Sequence, residues 1–122
     1  MTMKINSRQK NGIVIVDLSG RLVHGEGTVL LREHVRDLIS KGRKMILLNL
    51  QAVPYIDSSG LGELVSTFTA IRKQGGELKL LNLAKNVHGL LQITKLYTVF
   101  EVHDDEEAAL QSFDEKRATA AG

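Results

Sequence analysis

Residues 45–50, MILLNL, and residues 55–62, YIDSSGLG, decide the fold of this chain. The first is an apolar run of strand length, typical of a strand buried in a parallel sheet. The second places hydroxyl and glycine residues before an amphipathic helix, whose apolar residues recur at three- and four-residue spacing until Gly75 and Gly76. A strand, a polar turn and a helix start therefore follow one another. Unpaired N–H groups at such a helix start attract negative charge.

Strand and helix patterns alternate along the rest of the chain. Asn11-Gly12 is a strong turn signal, so residues 3–7 and 12–19 are predicted to form an N-terminal hairpin. A helix closed by Lys41-Gly42, a strand from Met45 and a helix from about Gly60 are predicted next. They are followed by a strand at 78–81, a helix at 84–93, a strand at 99–102 and a last helix after the acidic residues 104–107. The order ββαβαβαβα predicts an α/β fold with a mixed, mostly parallel sheet.

Length and composition favour one globular domain. The chain has 122 residues, of which 43% are hydrophobic and 25% charged, so most of it is expected to be ordered. We expect the domain to span residues 1–113 and residues 114–122 to form a flexible tail. No apolar run approaches the roughly 20 residues that cross a bilayer, residues 1–4 lack a signal-peptide pattern, and there is no cysteine. We therefore expect a cytoplasmic protein without membrane insertion.

The charge distribution argues against a nucleic-acid-binding protein. The formal net charge is only +2, with acidic and basic residues mixed along the chain. Two tyrosines, three phenylalanines and no tryptophan also leave little material for stacking on bases.

Several segments of this chain resemble the STAS domains of the bacterial anti-sigma factor antagonist family. The most specific is 56–62, IDSSGLG, supported by 17–22, DLSGRL, 75–78, GGEL, and 80–83, LLNL. The resemblance covers about residues 3–113. It implies helices packed mainly on one face of the sheet and a partner switch rather than catalysis. In such a switch the antagonist binds an anti-sigma factor that is also a Ser/Thr kinase, phosphorylation ends the binding, and a Ser/Thr phosphatase restores it.

The resemblance assigns the phosphorylated residue to Ser58 and a supporting hydrogen bond at the helix start to Ser59. Asp57 is expected either to orient the serine hydroxyl, to help hold metal-bound nucleotide in the kinase complex, or to serve as a plain helix cap. The expected partner-binding residues are Asp57, Ser58, Ser59, Gly60, Leu61, Gly62 and Glu63 with His24 and Glu26 from an earlier loop, and exposed Ser66 and Thr67 are expected to extend this surface. The alternative from residue chemistry alone is that residues 57–60 only cap a helix.

Two positions depart from the family pattern. Val23 and His24 stand where many members carry an acidic residue facing the switch serine, unless Glu26 supplies one from the loop. Asn49 stands where the family often has aspartate. These changes concern the phosphorylation chemistry and leave the fold assignment intact.

Enzymatic functions fit the sequence poorly. A nucleophile elbow needs glycine two positions before the serine, where Ile56 stands here. The four histidines, His24, His34, His88 and His103, show no metal-ligand spacing. We expect no cofactor, no metal and no catalytic residue. Nucleotide binding at Gly60-Leu61-Gly62 stays a minor hypothesis, because the lysine of a phosphate-binding loop is absent.

An alternative function within the resemblance is a STAS subunit of a larger assembly. A stressosome-like or lipid-transport complex would use the same helix face without phosphorylation. The sequence does not decide between a monomer and an oligomer.

Overall fold

The computed structural model describes the backbone of residues 3–121 and the side chains of residues 3–113. Its elements, in chain order, are β1 Lys4–Lys10, β2 Ile13–Ser19, α1 Glu26–Ser40, β3 Met45–Ala52, α2 Ser58–Lys73, β4 Glu77–Leu81, α3 Lys85–Ile93, a 3₁₀ turn Leu96–Thr98, β5 Val102–His103 and α4 Glu106–Ala121. This order confirms the predicted α/β fold. Within these residues no helix is both long enough and apolar enough to cross a membrane.

The strands form one sheet in the order β1-β2-β3-β4-β5. The first two strands are antiparallel, and Asn11 and Gly12 turn between them at φ of 56° and 79°. Positive φ at both positions matches the right-handed twist of a hairpin. The other three pairs are parallel, as the alternating strands and helices predict.

Strand residues alternate between two hydrophobic cores. On one face, even-numbered residues such as Val14, Ile46 and Leu80 are buried under helices α1, α2 and α3. On the other face, Ile13, Ile15, Leu47 and Leu81 pack against Ala109, Leu110 and Phe113 of α4. Three helices on one face and one on the other confirm the prediction that the helices lie mainly on one face.

Charged groups attach α4 to the sheet. Arg8 of β1 contacts Asp17 at 2.8 Å and Glu106 of α4 at 2.6 Å. Lys79 of β4, only 3% exposed, donates to the Ser112 hydroxyl of α4 at 2.8 Å and also contacts Glu101, which precedes β5, at 2.9 Å. Burial alone would raise the pKa of Glu101, but hydrogen bonds from Lys79 and His103 outweigh it and lower this pKa to about 2. These ion pairs supplement the apolar contact of Phe113.

The predicted strand at residues 99–102 is largely wrong. Lys95 adopts a left-handed conformation with φ of 62°, and the chain then makes the 3₁₀ turn. The N–H groups of Val99 and Phe100 donate to the Leu96 carbonyl instead of to a strand. Only Val102 and His103 pair with β4.

The expected flexible tail at residues 114–122 stays a prediction. The backbone of α4 runs to Ala121, beyond the expected domain boundary at residue 113. The side chains of residues 114–121 and all of residue 122 lie outside the described part of the chain.

Asn49 lies on the sheet face that carries α4. Its amide nitrogen donates to Asp17 at 2.8 Å, and its amide oxygen accepts from the N–H of Gln51 at 3.2 Å. An aspartate here would place a second carboxylate against Asp17. The amide of Asn49 is therefore complementary to the Asp17 carboxylate, which accepts its hydrogen bond.

We predict that Asn49→Asp lowers the free energy of unfolding at pH 7 by about 1–3 kcal/mol, because a hydrogen bond to a charged group is replaced by repulsion. The loss should shrink as the pH falls below about 4, where one of the two carboxylates binds a proton. Denaturant unfolding across this pH range measures it. Gln51→Glu, which adds the same charge at an exposed position of β3, is the control and should change little.

Candidate functional site

The candidate site is formed by two loops at the carboxyl edge of the parallel strands. The loop after β2 and the loop after β3 lie side by side and form a short parallel bridge between Leu22 and Ile56. The N–H of Leu22 donates to the Tyr55 carbonyl at 3.1 Å, and the N–H of Asp57 donates to the Leu22 carbonyl at 3.4 Å. Both bridging side chains are buried, so the loops are anchored in the core.

Asp57 joins these two loops through its carboxylate. One oxygen, Oδ1, accepts from the N–H of Gly60 at 2.8 Å and so caps α2. The other, Oδ2, accepts from the N–H of His24 at 3.1 Å. Asp57 therefore acts as the helix cap, which is one of the roles that the sequence left open for it.

The same two hydrogen bonds keep the Asp57 carboxylate ionised. The N–H groups of Gly60 and then His24 stabilise its carboxylate and lower its pKa below the usual value. A negative charge is thus already present at the start of α2. A free anion at this helix start would meet that charge, which disfavours the nucleotide site predicted at Gly60-Leu61-Gly62.

Gly60 allows α2 to approach the neighbouring loop. A Cβ atom on this residue would lie 2.1 Å from the Leu22 carbonyl oxygen, far inside van der Waals contact. The motif glycine therefore has a steric role. Leu61, which follows it, is 9% exposed and packs into the core, as the sequence predicts for the first apolar residue of the helix.

Asn86 holds the other side of the loop, a role that sequence reasoning missed. Its side-chain oxygen accepts from the N–H of Ile56 at 3.1 Å. This contact ties the start of α3 to the residue that precedes Asp57. The sequence predicts only a helix over residues 84–93 here, since no local pattern links residues thirty positions apart.

Ser58 and Ser59 are the first two residues of α2, and both are exposed. Within residues 3–113, neither hydroxyl has a hydrogen-bond partner. The predicted supporting hydrogen bond of Ser59 is therefore wrong, because Asp57 already caps the helix. The Ser58 hydroxyl is accessible at the edge of a firmly anchored loop.

The structure separates the predicted partner-binding residues of α2 into two groups. Gly62 and Ser66 are exposed on the same side as Ser58, at four-residue spacing. Glu63 is 6% exposed and bonds Arg32 of α1 at 2.7 Å, while Thr67 is 3% exposed. The expectation that Glu63 and Thr67 lie on the exposed surface is wrong, because their side of α2 packs against α1.

His24 lies in the loop after β2 and Glu26 is the first residue of α1, and both are exposed. His24 is connected to Asp57 through its backbone, as described above. Glu26 begins α1 rather than lying in a loop, and its carboxylate has no hydrogen bond or ion pair within residues 3–113. The Glu26 carboxylate is therefore not held against Ser58, where it was expected to supply an acidic group.

The described part of the chain contains no group of three or more His, Asp or Glu residues arranged to hold a metal ion. The polar groups at the site are the exposed hydroxyls of Ser58 and Ser59, the exposed His24 and the partly buried carboxylate of Asp57, which caps α2. Arg21 lies nearby with its guanidinium 4.7 Å from the centre of the Tyr55 ring. This arrangement can bind another protein and can expose a hydroxyl for modification.

Comparisons with known proteins agree with this geometry. The STAS domain matches residues 4–109. The chain belongs to the STAS domain family. The anti-sigma-B factor antagonist of Bacillus subtilis is 32% identical over 111 residues, which cover 91% of this chain and 100% of that protein. The anti-sigma F factor antagonist of Paenibacillus polymyxa is 28% identical over 114 residues, covering 93% and 97%.

Solved structures confirm the STAS fold. The anti-sigma factor antagonist SpoIIAA in its unphosphorylated form has a TM-score of 0.78 and 21% identity, covering 92% of this chain and 97% of that one. The phosphorylated form of SpoIIAA from Bacillus has a TM-score of 0.71, with coverage of 90% and 99%. The relatives of this STAS domain are named as regulatory antagonists, which confirms the prediction that it is not an enzyme.

The two motif glycines give a matched test of the site's packing. We predict that Gly60→Ala destabilises the protein by more than 1 kcal/mol, because the new Cβ would overlap the Leu22 carbonyl. Gly62→Ala should instead stabilise it by about 0.5–1 kcal/mol, since its Cβ enters open space and alanine favours the helix. Thermal and denaturant unfolding of both variants measure the difference. Equal effects of the two substitutions would contradict this packing.

The carboxylate of Asp57 should make a pH-dependent contribution to stability. Asp57→Asn retains a cap for Gly60 but presents only one accepting oxygen, so we predict a loss of about 1 kcal/mol at pH 7. Because folding lowers the pKa of Asp57, its contribution is present above the unfolded pKa of about 3.9 and disappears as the pH falls through the folded value. Unfolding curves of both proteins should therefore converge as the pH falls through the lowered, folded-state pKa of Asp57. A difference in the free energy of unfolding that stays constant over the whole pH range would exclude the charge of Asp57 as the cause of the loss.

Proposed function

We propose that this STAS domain binds an anti-sigma factor through the surface around Ser58, and that phosphorylation of Ser58 releases that partner. The observation that carries the proposal is the accessible, unpartnered Ser58 hydroxyl at a loop that is fixed on both sides. The names of the relatives support an anti-sigma factor as the binding partner. SpoIIAA has known structures in an unphosphorylated and a phosphorylated form, which supports phosphorylation as the switch.

The proposed binding surface is a shallow patch on α2 and the adjoining loops. Ser58, Gly62 and Ser66 lie on one exposed side of the helix, and their small side chains let a partner approach the backbone closely. Tyr55, 36% exposed, and Val29, 41% exposed, add apolar area beside it. Tyrosine and valine at the margin of small polar residues suit a reversible protein interface.

Electrostatics explains how a phosphoryl group would end the binding. It adds about −1.5 to −2 charge at Ser58, next to the Asp57 carboxylate. Asp57 already occupies the N–H groups of Gly60 and His24, so those donors are not available to the phosphate. The phosphate would therefore stay at the surface and be desolvated unfavourably by a docked partner. A cost of about 3 kcal/mol weakens affinity more than a hundredfold.

The proposal includes the source and removal of the phosphate. The anti-sigma factor carries the Ser/Thr kinase activity, a Ser/Thr phosphatase restores the free hydroxyl, and the switch operates in the cytoplasm. Val23 and the free Glu26 leave no acidic group bonded to Ser58, so this kinase must supply any base that its reaction uses.

We predict that phosphorylation of Ser58, or Ser58→Asp, weakens binding to the cognate anti-sigma factor about a hundredfold and leaves the circular dichroism spectrum unchanged. Calorimetry with purified partner measures the affinity, and mass spectrometry after incubation with the partner and ATP identifies the modified residue. Thr69→Asp is the control, because it adds the same charge at an exposed position of α2 outside the proposed binding surface and should leave the affinity unchanged. It should leave Ser58 phosphorylatable.

Equal affinity of the phosphorylated and unphosphorylated proteins would contradict the switch. The alternative function, a STAS subunit of a larger assembly, has a different signature. It requires stoichiometric co-purification with other subunits and no phosphate on Ser58 in protein isolated from cells.

A further inference from the structure

An exposed apolar patch lies along the β5 edge of the sheet. Four large apolar side chains there are between 37% and 82% exposed: Ile93, Tyr97, Val99 and Val102. Only two other large apolar side chains of residues 3–113 are exposed to this degree, and both belong to the proposed switch surface. A cluster of exposed apolar side chains marks an interaction surface. We call these four residues the β5 patch.

The backbone of β5 is open on its outer side. This strand is the last in the sheet order, so it has a neighbouring strand on one side only. The carbonyls of Glu101 and His103 face β4 and accept from the N–H groups of Leu80 and Asn82, each at 2.9 Å. Because successive residues of a strand in such a ladder alternate in direction, the N–H and C=O groups of Val102 point away from β4. An open edge of this kind can pair with a strand of another chain.

The two edges of the sheet carry different side chains. The other edge strand, β1, is seven residues long and has exposed cations at Lys4, Arg8 and Lys10. Charged side chains, lysine especially, discourage an edge strand from pairing with a second chain. Residues 96–105, which contain β5, include no lysine or arginine. Of the two edges, that of β5 is therefore the one suited to pairing.

The charges around the β5 patch make it complementary to itself. Arg72 and Lys73 end α2 and line a groove together with Val99, while Asp104 and Asp105 directly follow β5. All four charged residues are exposed, and within residues 3–113 none of them has an ion pair. The cations and the carboxylates thus flank the patch at opposite ends. A twofold axis through its middle places the cations of one copy opposite the carboxylates of the other.

We propose that the chain forms a homodimer through the β5 patch. The β5 strands of the two copies pair antiparallel about a twofold axis, and the two Val102 residues exchange backbone hydrogen bonds at its centre. The apolar side chains of the patch supply the contact area, and Lys73 of each copy lies opposite Asp104 of the partner subunit. The patch shares no residue with the proposed switch surface, so failure of this proposal leaves the proposed switch untouched.

Sedimentation velocity of the full chain over a wide range of concentrations tests the dimer. The protein should change from monomer to dimer as its concentration rises. Val102→Lys and Tyr97→Lys should each raise the dissociation constant of the dimer by about tenfold or more, with an unchanged circular dichroism spectrum. Asn6→Lys is the matched control, because it adds the same charge at an exposed position of the other edge strand, and it should dimerise as the unsubstituted protein does.

Two results would overturn the proposal at this stage. A chain that stays monomeric at every concentration would leave the β5 patch to a different protein. A dimer that is equally stable in Val102→Lys, Tyr97→Lys and Asn6→Lys would lie elsewhere on the molecule.

Mixing two charge-reversed variants tests the twofold arrangement. Lys73→Glu alone and Asp104→Lys alone should each dimerise more weakly, because each variant places like charges opposite one another at both ends of its dimer. An equimolar mixture should dimerise again, since both pairs between the two variants are then of opposite charge. A mixture that dimerises no better than either variant alone, or growth of the unsubstituted protein beyond the dimer, would overturn the twofold arrangement.

Discussion

The hydrogen bonds of the Asp57 carboxylate are the interaction on which the site depends. They join the start of α2 to the loop after β2, and these two segments can lie this close only because Gly60 has no side chain to meet the Leu22 carbonyl. The carboxylate also supplies the negative charge that a helix start attracts. Ser58 is consequently left outside the hydrogen-bonded network, as the exposed first residue of a rigid helix.

Most of the fold follows from local sequence patterns. The apolar runs of β2, β3 and β4 and the Asn11-Gly12 turn identify the sheet, because alternation and turn chemistry act over a few residues. Residues 99–102 also resemble a strand, yet tertiary packing decides their conformation. Phe100 fills the core beneath the 3₁₀ turn at 3% exposure and leaves only Val102 and His103 to pair with β4.

The site was predictable in its location but not in its internal contacts. Asp57 and Ser59 are both of residue types that cap helices well. The sequence does not show which of them accepts the hydrogen bond from the helix start, because contacts with the neighbouring loop fix where α2 begins. Helical spacing likewise places Glu63 and Thr67 on a face without showing that this face meets α1. Asn86 is bonded to a residue thirty positions earlier, which no local pattern indicates.

The second pKa of a phosphate on Ser58 tests the central claim most directly. If the Asp57 carboxylate keeps the phosphate outside the helix start, like-charge repulsion should raise this pKa above its ordinary value of about 6, and Asp57→Asn should return it toward that value. Phosphorus NMR titration of the protein phosphorylated at Ser58 measures both. A pKa below about 6 that is insensitive to Asp57→Asn would mean that the helix start captures the phosphate, and would contradict the account.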